Sequence, residues 1–501
     1  MRLNDIKIKI VAITIVLIFF LSSISVSESI DKKEDKNEIE NLLNSNILVE
    51  SSNIDILYPR CSNPCIVEKN SNFTISLDLD EYENIYVYIS TAFEPVVDEY
   101  VLEILDSWKS NNINYLKVRI PEIINEELYN LTVVVLKEDT FYYKSRPRCI
   151  NVIDDFTDDF SFIHITDLHL GDPRGFLESI KETIGYKSIK RGIKEINLLN
   201  PDFVIISGDL VFGQLYFKEY TREYKKCYEM IQMFDVPTFL VPGNHDGYRR
   251  LGEDGLEMWG DYFGQFYYSF DFGNYHFQGI NSYDWPEKYR WSIGPIALTW
   301  GGYIKDDQLD WIEYDLKENT DSNLSFMFMH HNPIWDTKKD TLINKGYYNR
   351  GQLLDLIDLY DVDMVLSGHV HFDDVTIQND TIFITTTTPE SKIEFEDGYW
   401  GYRLVKIENG NIKSYNYKEP KYCIPSYNID VENINKYSRK ITNDLESDIK
   451  VLLKFTVPKR SYIIDNAEIE MIRENKMLSE YYLRTVVPSN DELVVTLNCI
   501  N

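Results

Sequence analysis

The sequence predicts an α/β protein whose layered α/β centre is flanked by an N-terminal β-sandwich and a small C-terminal β domain. Three observations carry this reading. Five apolar, β-rich runs in the middle of the chain alternate with segments of helical periodicity, the pattern of strands and helices stacked in layers. Residues 47–153 hold short, β-branched or aromatic, often alternating runs separated by polar, Asn/Asp-rich turns. Residues 427–501 repeat that β character. With 501 residues, 44% hydrophobic and 26% charged, the chain has room for more than one core and an ordinary globular composition.

At the N-terminus, Lys7 and Lys9 precede an apolar run from about Ile10 to Leu21, and small residues follow from Ser22 to Ser27. This predicts a signal peptide over 1–27. The run is short for a membrane span, which needs roughly 20 apolar residues. The alternative is an uncleaved N-terminal membrane anchor, and either reading places the body outside the cytoplasm. Residues 28–46 are charged and lack aromatics, as a linker does.

In the N-terminal β-sandwich (47–153), which is Ig-like in expectation, strands are predicted at Ile54–Tyr58, Phe73–Leu79, Ile85–Ser90, Leu116–Ile120, Leu131–Leu136 and Phe141–Tyr143. In the central domain (160–420), helices are predicted at Leu177–Leu199, Tyr220–Phe234, Asp306–Leu316 and Leu353–Tyr360. Late strands at Val375–Ile377, Thr381–Thr386, Tyr402–Lys406 and Ile412–Tyr417 imply either a mixed sheet or two sheets. In the C-terminal domain (427–501), strands are predicted at Lys450–Pro458, Tyr462–Ile464, Glu468–Glu474, Tyr481–Val487 and Leu493–Leu497.

Six cysteines suit an exported chain only loosely. Cys61 and Cys65 flank a loop and are close enough to pair locally. Cys149 and Cys423 flank the centre, and a bridge there is conceivable. The alternative is free, buried thiols. Asn72, Asn130, Asn323 and Asn379 each open a glycosylation acceptor pattern, a weak signal. The formal net charge of −30 repels phosphate backbones and argues against a nucleic-acid partner.

Chemistry concentrates where the five apolar runs end. Ser161–Ile165 leads to Asp167 and His169, two residues apart and so on one side of an extended segment. Phe203–Ser207 leads to Asp209, Thr238–Val241 to Asn244, His245 and Asp246, Leu324–Met329 to His330 and His331, and Val362–Ser367 to His369 and His371. Six of the eight histidines sit at these ends. In open α/β sheets, ligands bind beyond the carboxyl ends of the strands. Hard carboxylate oxygens mixed with imidazole nitrogens suit a transition metal.

Taken together, D-x-H (Asp167, His169), G-D (Gly208, Asp209), G-N-H-D (Gly243 to Asp246), a strand ending in His330 and G-H-x-H (Gly368 to His371) resemble the calcineurin-like metallophosphoesterase superfamily. So do Gln308–Ile312 and Gly401–Val405. The resemblance covers about 160–420 only. It implies a two-sheet α/β sandwich with helices outside and a binuclear metal centre of Mn, Zn, Fe or Co. Asp167, His169, Asp209 and His371 would bind one ion. Asp209, Asn244, His330 and His369 would bind the other, with Asp209 bridging. The implied activity is hydrolysis of phosphomono- or phosphodiesters through a metal-bridged hydroxide, with a small phosphorylated substrate and His245 as the group that stabilises charge or protonates the leaving group. Asp209 and His245 are the residues expected to be catalytic.

The remaining candidates are weighed beside these. His331 either contacts substrate or packs. His164 and His276 read as strand residues within the fold, Asp246 as a cap or as an orienter of His245, and Arg249 and Arg250 as solvated or phosphate-touching. Purple acid phosphatases share the fold but carry a Tyr ligand three residues after the second-motif Asp; here Phe212 stands there and His169 is present. The aromatic segment Asn281–Tyr303 is either a lid over the metals or a packed loop. A different class of function, an extracellular binding or adhesion protein using the fold as scaffold, predicts damaged metal motifs, and all seven ligand positions are intact.

Overall fold

The computed structural model describes residues 49–51, 53–79, 82–138, 140–172, 179–213, 218–294, 296–335, 342, 346–389 and 400–500. The expected signal peptide, its anchor alternative and the linker lie outside these residues.

The central domain is built on two six-stranded sheets. Strands β1 (Phe160–Ile165), β2 (Phe203–Ser207) and β3 (Thr238–Val241) run parallel. Connecting helices are α1 (Ile184–Leu199) and α2 (Glu219–Ile231). The second sheet begins with the hairpin β4 (Tyr268–Phe272) and β5 (Tyr275–Gly279). It continues in parallel through β6 (Leu324–Phe328) and β7 (Met364–Ser367), after helices α3 (Asp306–Glu318) and α4 (Arg350–Leu359). The hairpin β8 (Asp374–Gln378) and β9 (Thr381–Thr385) completes it. The chain then returns to the first sheet as β10 (Gly401–Glu408), antiparallel to β1, and β11 (Asn411–Ser414). The choice between one mixed sheet and two sheets is thereby decided for two.

Strand alternation explains the layers. Phe162, Phe203, Phe239, Phe277, Phe326 and Phe328 point between the sheets into one aromatic core. Phe162 stacks on Phe203 at 5.1 Å and Phe277 on Phe326 at 4.5 Å. Their neighbours Ile163 and Ile165 face outward against Ile189, Ile193 and Ile196 of α1. On the far side, Met327, Met329 and Val365 meet Leu309 and Ile312 of α3 and Leu353 and Ile357 of α4.

In the N-terminal region, strands Ile54–Tyr58, Asn72–Leu79, Ile113–Arg119 and Glu103–Ser110 form one sheet. Glu127–Lys137, Thr140–Ile153, Asn84–Thr91 and their edge partners form the other, and Ile75, Leu77, Val87, Ile89, Leu131 and Val133 fill the space between. The loop after the first of these strands reaches the site-bearing sheet. Ser62 O accepts from Leu240 N (2.9 Å) and Cys61 O accepts from Thr238 Oγ1 (2.7 Å), so the sandwich buttresses β3 just before its functional turn. C-terminal strands pack on α1, with Ile449, Val451 and Leu453 in the same core as Ile189 and Ile193. Buried Arg473 joins the two flanking regions through Glu127 (3.1 Å) and Glu480 (3.3 Å).

Neither cysteine pairing forms: all six thiols are free, and only Cys499 is exposed. Cys65 and Cys149 belong to the sandwich core, whereas Cys423 is buried beside Asp373 in the central domain, too separate a setting for the expected bridge. Asn130, one of the glycosylation candidates, is half-buried and accepts a bond from Arg148 N at 3.0 Å, so it is engaged within the sandwich.

Candidate metal centre and active site

Three of the five strand ends, those of β1, β2 and β7, turn sharply. Asp167 (φ 54°), His169 (47°), Asp209 (52°), His369 (76°) and His371 (60°) adopt the left-handed backbone. For a non-glycine residue this costs about 1–3 kcal/mol, sustained only where the surrounding fold enforces it. Such turns bend the chain back so that side chains from separate strands meet. The motif glycines let the loops approach. A Cβ on Gly368 would lie 2.1 Å from Thr166 Oγ1 and 2.4 Å from Asp167 Oδ2; one on Gly243 would lie 2.2 Å from Asp209 Oδ1.

Both carboxylates spend one oxygen on the backbone and turn the other inward. Asp167 Oδ2 accepts from His369 N (2.9 Å) and Thr166 Oγ1 (3.0 Å). Its Oδ1 is buried without a hydrogen-bond partner, 3.2 Å from His371 Nε2 and 3.7 Å from His169 Nε2. Asp209 Oδ1 accepts from His245 N (2.8 Å), and its Oδ2 lies 3.1 Å from His330 Nε2 and 3.8 Å from His169 Nε2. Asp209 therefore stands between two clusters: Asp167, His169 and His371 on one side, and Asn244 and His330 on the other. His369 joins the second, its ring 5.1 Å from that of His330. All seven expected ligand positions are thus gathered at one place.

The donor set fits cations. His330 Nδ1 donates to Ser207 O (2.9 Å), which turns Nε2 inward. Asn244 Nδ2 donates to Tyr248 Oη (2.7 Å), which turns Oδ1 inward. These two acceptors face each other at 3.0 Å, and His169 Nε2 faces His371 Nε2 at 3.0 Å. Acceptors held this close need a proton or a metal ion among them. Burial favours neutral Asp209, yet the His330 and His245 imidazoles outweigh it and hold the carboxyl below its ordinary value. Burial depresses His330 too, and Asp209 and Asp167 outweigh it, lifting the imidazole to about 9. Burial dominates at His169, which falls to about 4. The site thus keeps its carboxylates ionised, as cation binding requires.

His245 differs from the ligands. Its Nδ1 donates to Phe212 O (2.6 Å), fixing the tautomer, and the ring faces a cavity of about 450 Å³ lined by Asp209, Asn244, Tyr248, Trp300, His369 and His371. Asp246 does not touch the His245 ring. Its carboxylate accepts from Leu210 N (2.9 Å), Val211 N (3.1 Å) and Gly243 N (2.8 Å), tying the second motif to the third. His331 spends both nitrogens: Nε2 donates to Trp300 O (2.8 Å) and Nδ1 accepts from Ser282 Oγ (2.9 Å). It fastens the aromatic segment and does not face the cavity as a ligand.

That segment is both lid wall and packed loop. Trp300, Ile296 and Ala297 line the cavity, while Tyr283 and Trp285 are buried beneath. His164 is buried between Thr386 Oγ1 (2.8 Å) and Ser207 Oγ (2.7 Å), and His276 between Asp271 and Asp315. Arg249 pairs with Glu287 and Arg250 with Glu219, away from the cavity lining.

Sequence reasoning missed several contributors. Tyr248 orients Asn244; its signal was the i, i+4 spacing on a short helical turn. Leu342 lines the cavity with no motif to mark it, and Ile296 and Ala297 line it as aliphatic members of the segment picked out for its aromatics. Asp373, two residues past His371, accepts from Arg403 Nη2 (2.8 Å), Thr387 N (3.2 Å) and Cys423 N (3.0 Å) and so anchors the last motif.

Residues 160–373 match the family model described as calcineurin-like phosphoesterase. The central domain is a calcineurin-like phosphoesterase domain. Among proteins similar to it, one named "Probable glycerophosphodiester phosphodiesterase GpdQ" from Arcobacter nitrofigilis is 27% identical over 47% of this chain and 80% of its own length. A "Probable cyclic nucleotide phosphodiesterase" from Synechococcus is 26% identical over 51% of this chain and 92% of its own. The rat "Serine/threonine-protein phosphatase CPPED1" is 28% identical over 36% of this chain and 58% of its own. In a calcineurin-like phosphoesterase domain, the buried Asp and His groups described here are suited to hold metal.

Proposed function

We propose that the chain is an exported, metal-dependent phosphodiesterase with a two-ion centre. The observation that carries this reading is the convergence of Asp167, His169, Asp209, Asn244, His330, His369 and His371 beside a cavity that His245 enters. Asp167, His169, Asp209 and His371 would hold one ion; Asp209, Asn244, His330 and His369 would hold the other. Bound cations would polarise the phosphoryl group and acidify water.

The remaining work falls to the chain's own residues. Phe212 O keeps the proton of His245 on Nδ1, so Nε2 addresses the phosphate or the leaving oxygen. Trp300, Ile296, Ala297 and Tyr248 provide an apolar wall that accommodates an ester substituent and excludes water. The choice of diester over monoester rests on charge and on the names of two relatives. Among the described residues neither Lys nor Arg lines the cavity, which suits a singly charged diester better than a dianionic monoester. The scaffold reading gains no support, because it predicts eroded ligands and none is eroded.

Bis-p-nitrophenyl phosphate and p-nitrophenyl phosphate, offered to protein stripped of metal and reloaded with Mn, Zn, Fe or Co, test this. The expected result is metal-dependent turnover of the diester in preference to the monoester. Turnover of the monoester alone would overturn the diester assignment; silence on both with no metal bound would restore the scaffold reading.

A further inference from the structure

Four large aliphatic side chains are displayed at the mouth of the cavity. Leu251 is 78% exposed, Ile293 80%, Ile296 62% and Leu342 58%. They lie on two adjoining hairpins and a neighbouring segment. Ser292–Ile293 pairs with Ile296–Ala297, with Ile293 directly opposite Ile296, so these two share one face. Arg249 forms a parallel bridge with Trp291, which sets the hairpin whose turn carries Leu251 beside the one that carries Ile293. Leu342 N donates to Leu298 O (2.9 Å), adding a fourth member on the other flank. Ile296 and Leu342 also line the cavity, so this apolar rim is continuous with the site wall.

A contiguous apolar surface of this kind marks a binding face for a protein or a lipid surface. Charge decides which lipid surface. Arg249 and Arg250 are paired with Glu287 and Glu219, and the whole chain carries a formal charge of −30. An anionic bilayer would repel it, whereas a zwitterionic one would not. The short strands of both hairpins already pair with each other, so these backbone groups need no new partners at a headgroup layer.

We propose that this rim docks the molecule on a zwitterionic lipid surface, with the cavity opening onto the headgroups. On the phosphodiesterase reading, on which this part rests, the substrate class is a lipid phosphodiester presented from that surface. Apolar wall, exposed tips and metal-type cluster then form one path from bilayer to reaction centre.

The test uses the full chain with Cys499→Ser, which leaves only buried native thiols. Ile293→Cys in that background is labelled with bimane and mixed with dioleoylphosphatidylcholine vesicles. The expected result is a blue shift and lost iodide quenching at 293. The same label at Met477→Cys, 78% exposed in the C-terminal domain, stays open to iodide. Adding Leu251→Asp should abolish the shift at 293, and phosphatidylserine in the vesicles should weaken it. Continued iodide access at 293, or equal protection at 477, would overturn the proposal. Turnover of bis-p-nitrophenyl phosphate by the same chains reads the site separately. Docking without turnover would sink the phosphodiesterase reading alone, and turnover without docking would sink this one alone.

Discussion

Arg403→Met removes the guanidinium at the centre of a buried network beneath the metal-type cluster. Arg403 and Asp373 have side-chain exposures of 0% and 1% and are 2.8 Å apart. The guanidinium also donates to Thr386 Oγ1 (3.2 Å), Tyr415 O (2.9 Å), Asn416 Oδ1 (2.5 Å) and Lys421 O (2.9 Å). Methionine fills much of the volume but strands Asp373 as a buried carboxylate. Losing one partner of a buried pair costs about 3–5 kcal/mol. The backbone donors of Thr387 and Cys423 remain on Asp373, which places the expected loss near the lower end, about 3 kcal/mol. At 2–4 °C per kcal/mol for a domain of this size, Tm should fall by roughly 6–12 °C. The assay is thermal and urea unfolding of wild type, Arg403→Met, Asp373→Asn and the double variant. Asp373→Asn should destabilise the wild type yet stabilise the Arg403→Met background, because there it removes an unpaired charge. A single-variant loss below about 1 kcal/mol, or an Asp373→Asn effect equal in both backgrounds, would refute the reasoning.

Other outcomes follow from the same geometry. His245→Ala should lower turnover by about 10²–10⁴-fold while far-ultraviolet circular dichroism stays unchanged, because the imidazole that addresses the phosphate is lost and no core residue is; activity within a fewfold of wild type would remove His245 from the mechanism. Gly368→Ala drives a methyl into Thr166 and Asp167, so metal affinity should drop by roughly 10–100-fold, read by competition with a chelating dye. Burial alone would lower His276, but its bonds to Asp271 and Asp315 outweigh this and raise it to about 9. That contribution is complete below the unfolded value near 6.5 and disappears as pH rises through about 9. Asp271 is largely exposed, so the loss is discounted to roughly 2 kcal/mol. His276→Asn should flatten the fall in stability over that window, and an unchanged slope would count against the pair.

What the sequence made legible follows from how periodicity and chemistry coincide. Strands ending in Asp or His could be found because burial makes β1, β2, β3, β6 and β7 continuous apolar runs, and each stops where the chain must turn toward the cluster. The helices α1 to α4 showed through their apolar spacing. Strands with little burial escaped notice: Glu103–Ser110 is mostly exposed, and Ile429–Asn435 and Ser438–Asn443 carry polar residues at most positions. The two-residue hairpins bearing Leu251 and Ile293 are too short to show any period. Thiol pairing was illegible because it depends on which core each cysteine enters: Cys65 and Cys149 share the sandwich, and Cys423 does not. His331 was ambiguous for a related reason. Adjacent to a ligand in sequence, it is directed by Ser282 and Trp300 into a supporting role that only tertiary contacts reveal.

Metal stoichiometry is the most direct test of the central claim that Asp209 bridges two cation positions. Chains stripped by chelator, reloaded and desalted would be analysed by inductively coupled plasma mass spectrometry, beside Asp209→Asn. Wild type should retain two ions per chain, and Asp209→Asn should retain fewer, with diester turnover lost in parallel. A wild-type chain that holds one ion or none at full diester turnover, or an Asp209→Asn chain that keeps two ions and full activity, would contradict the account.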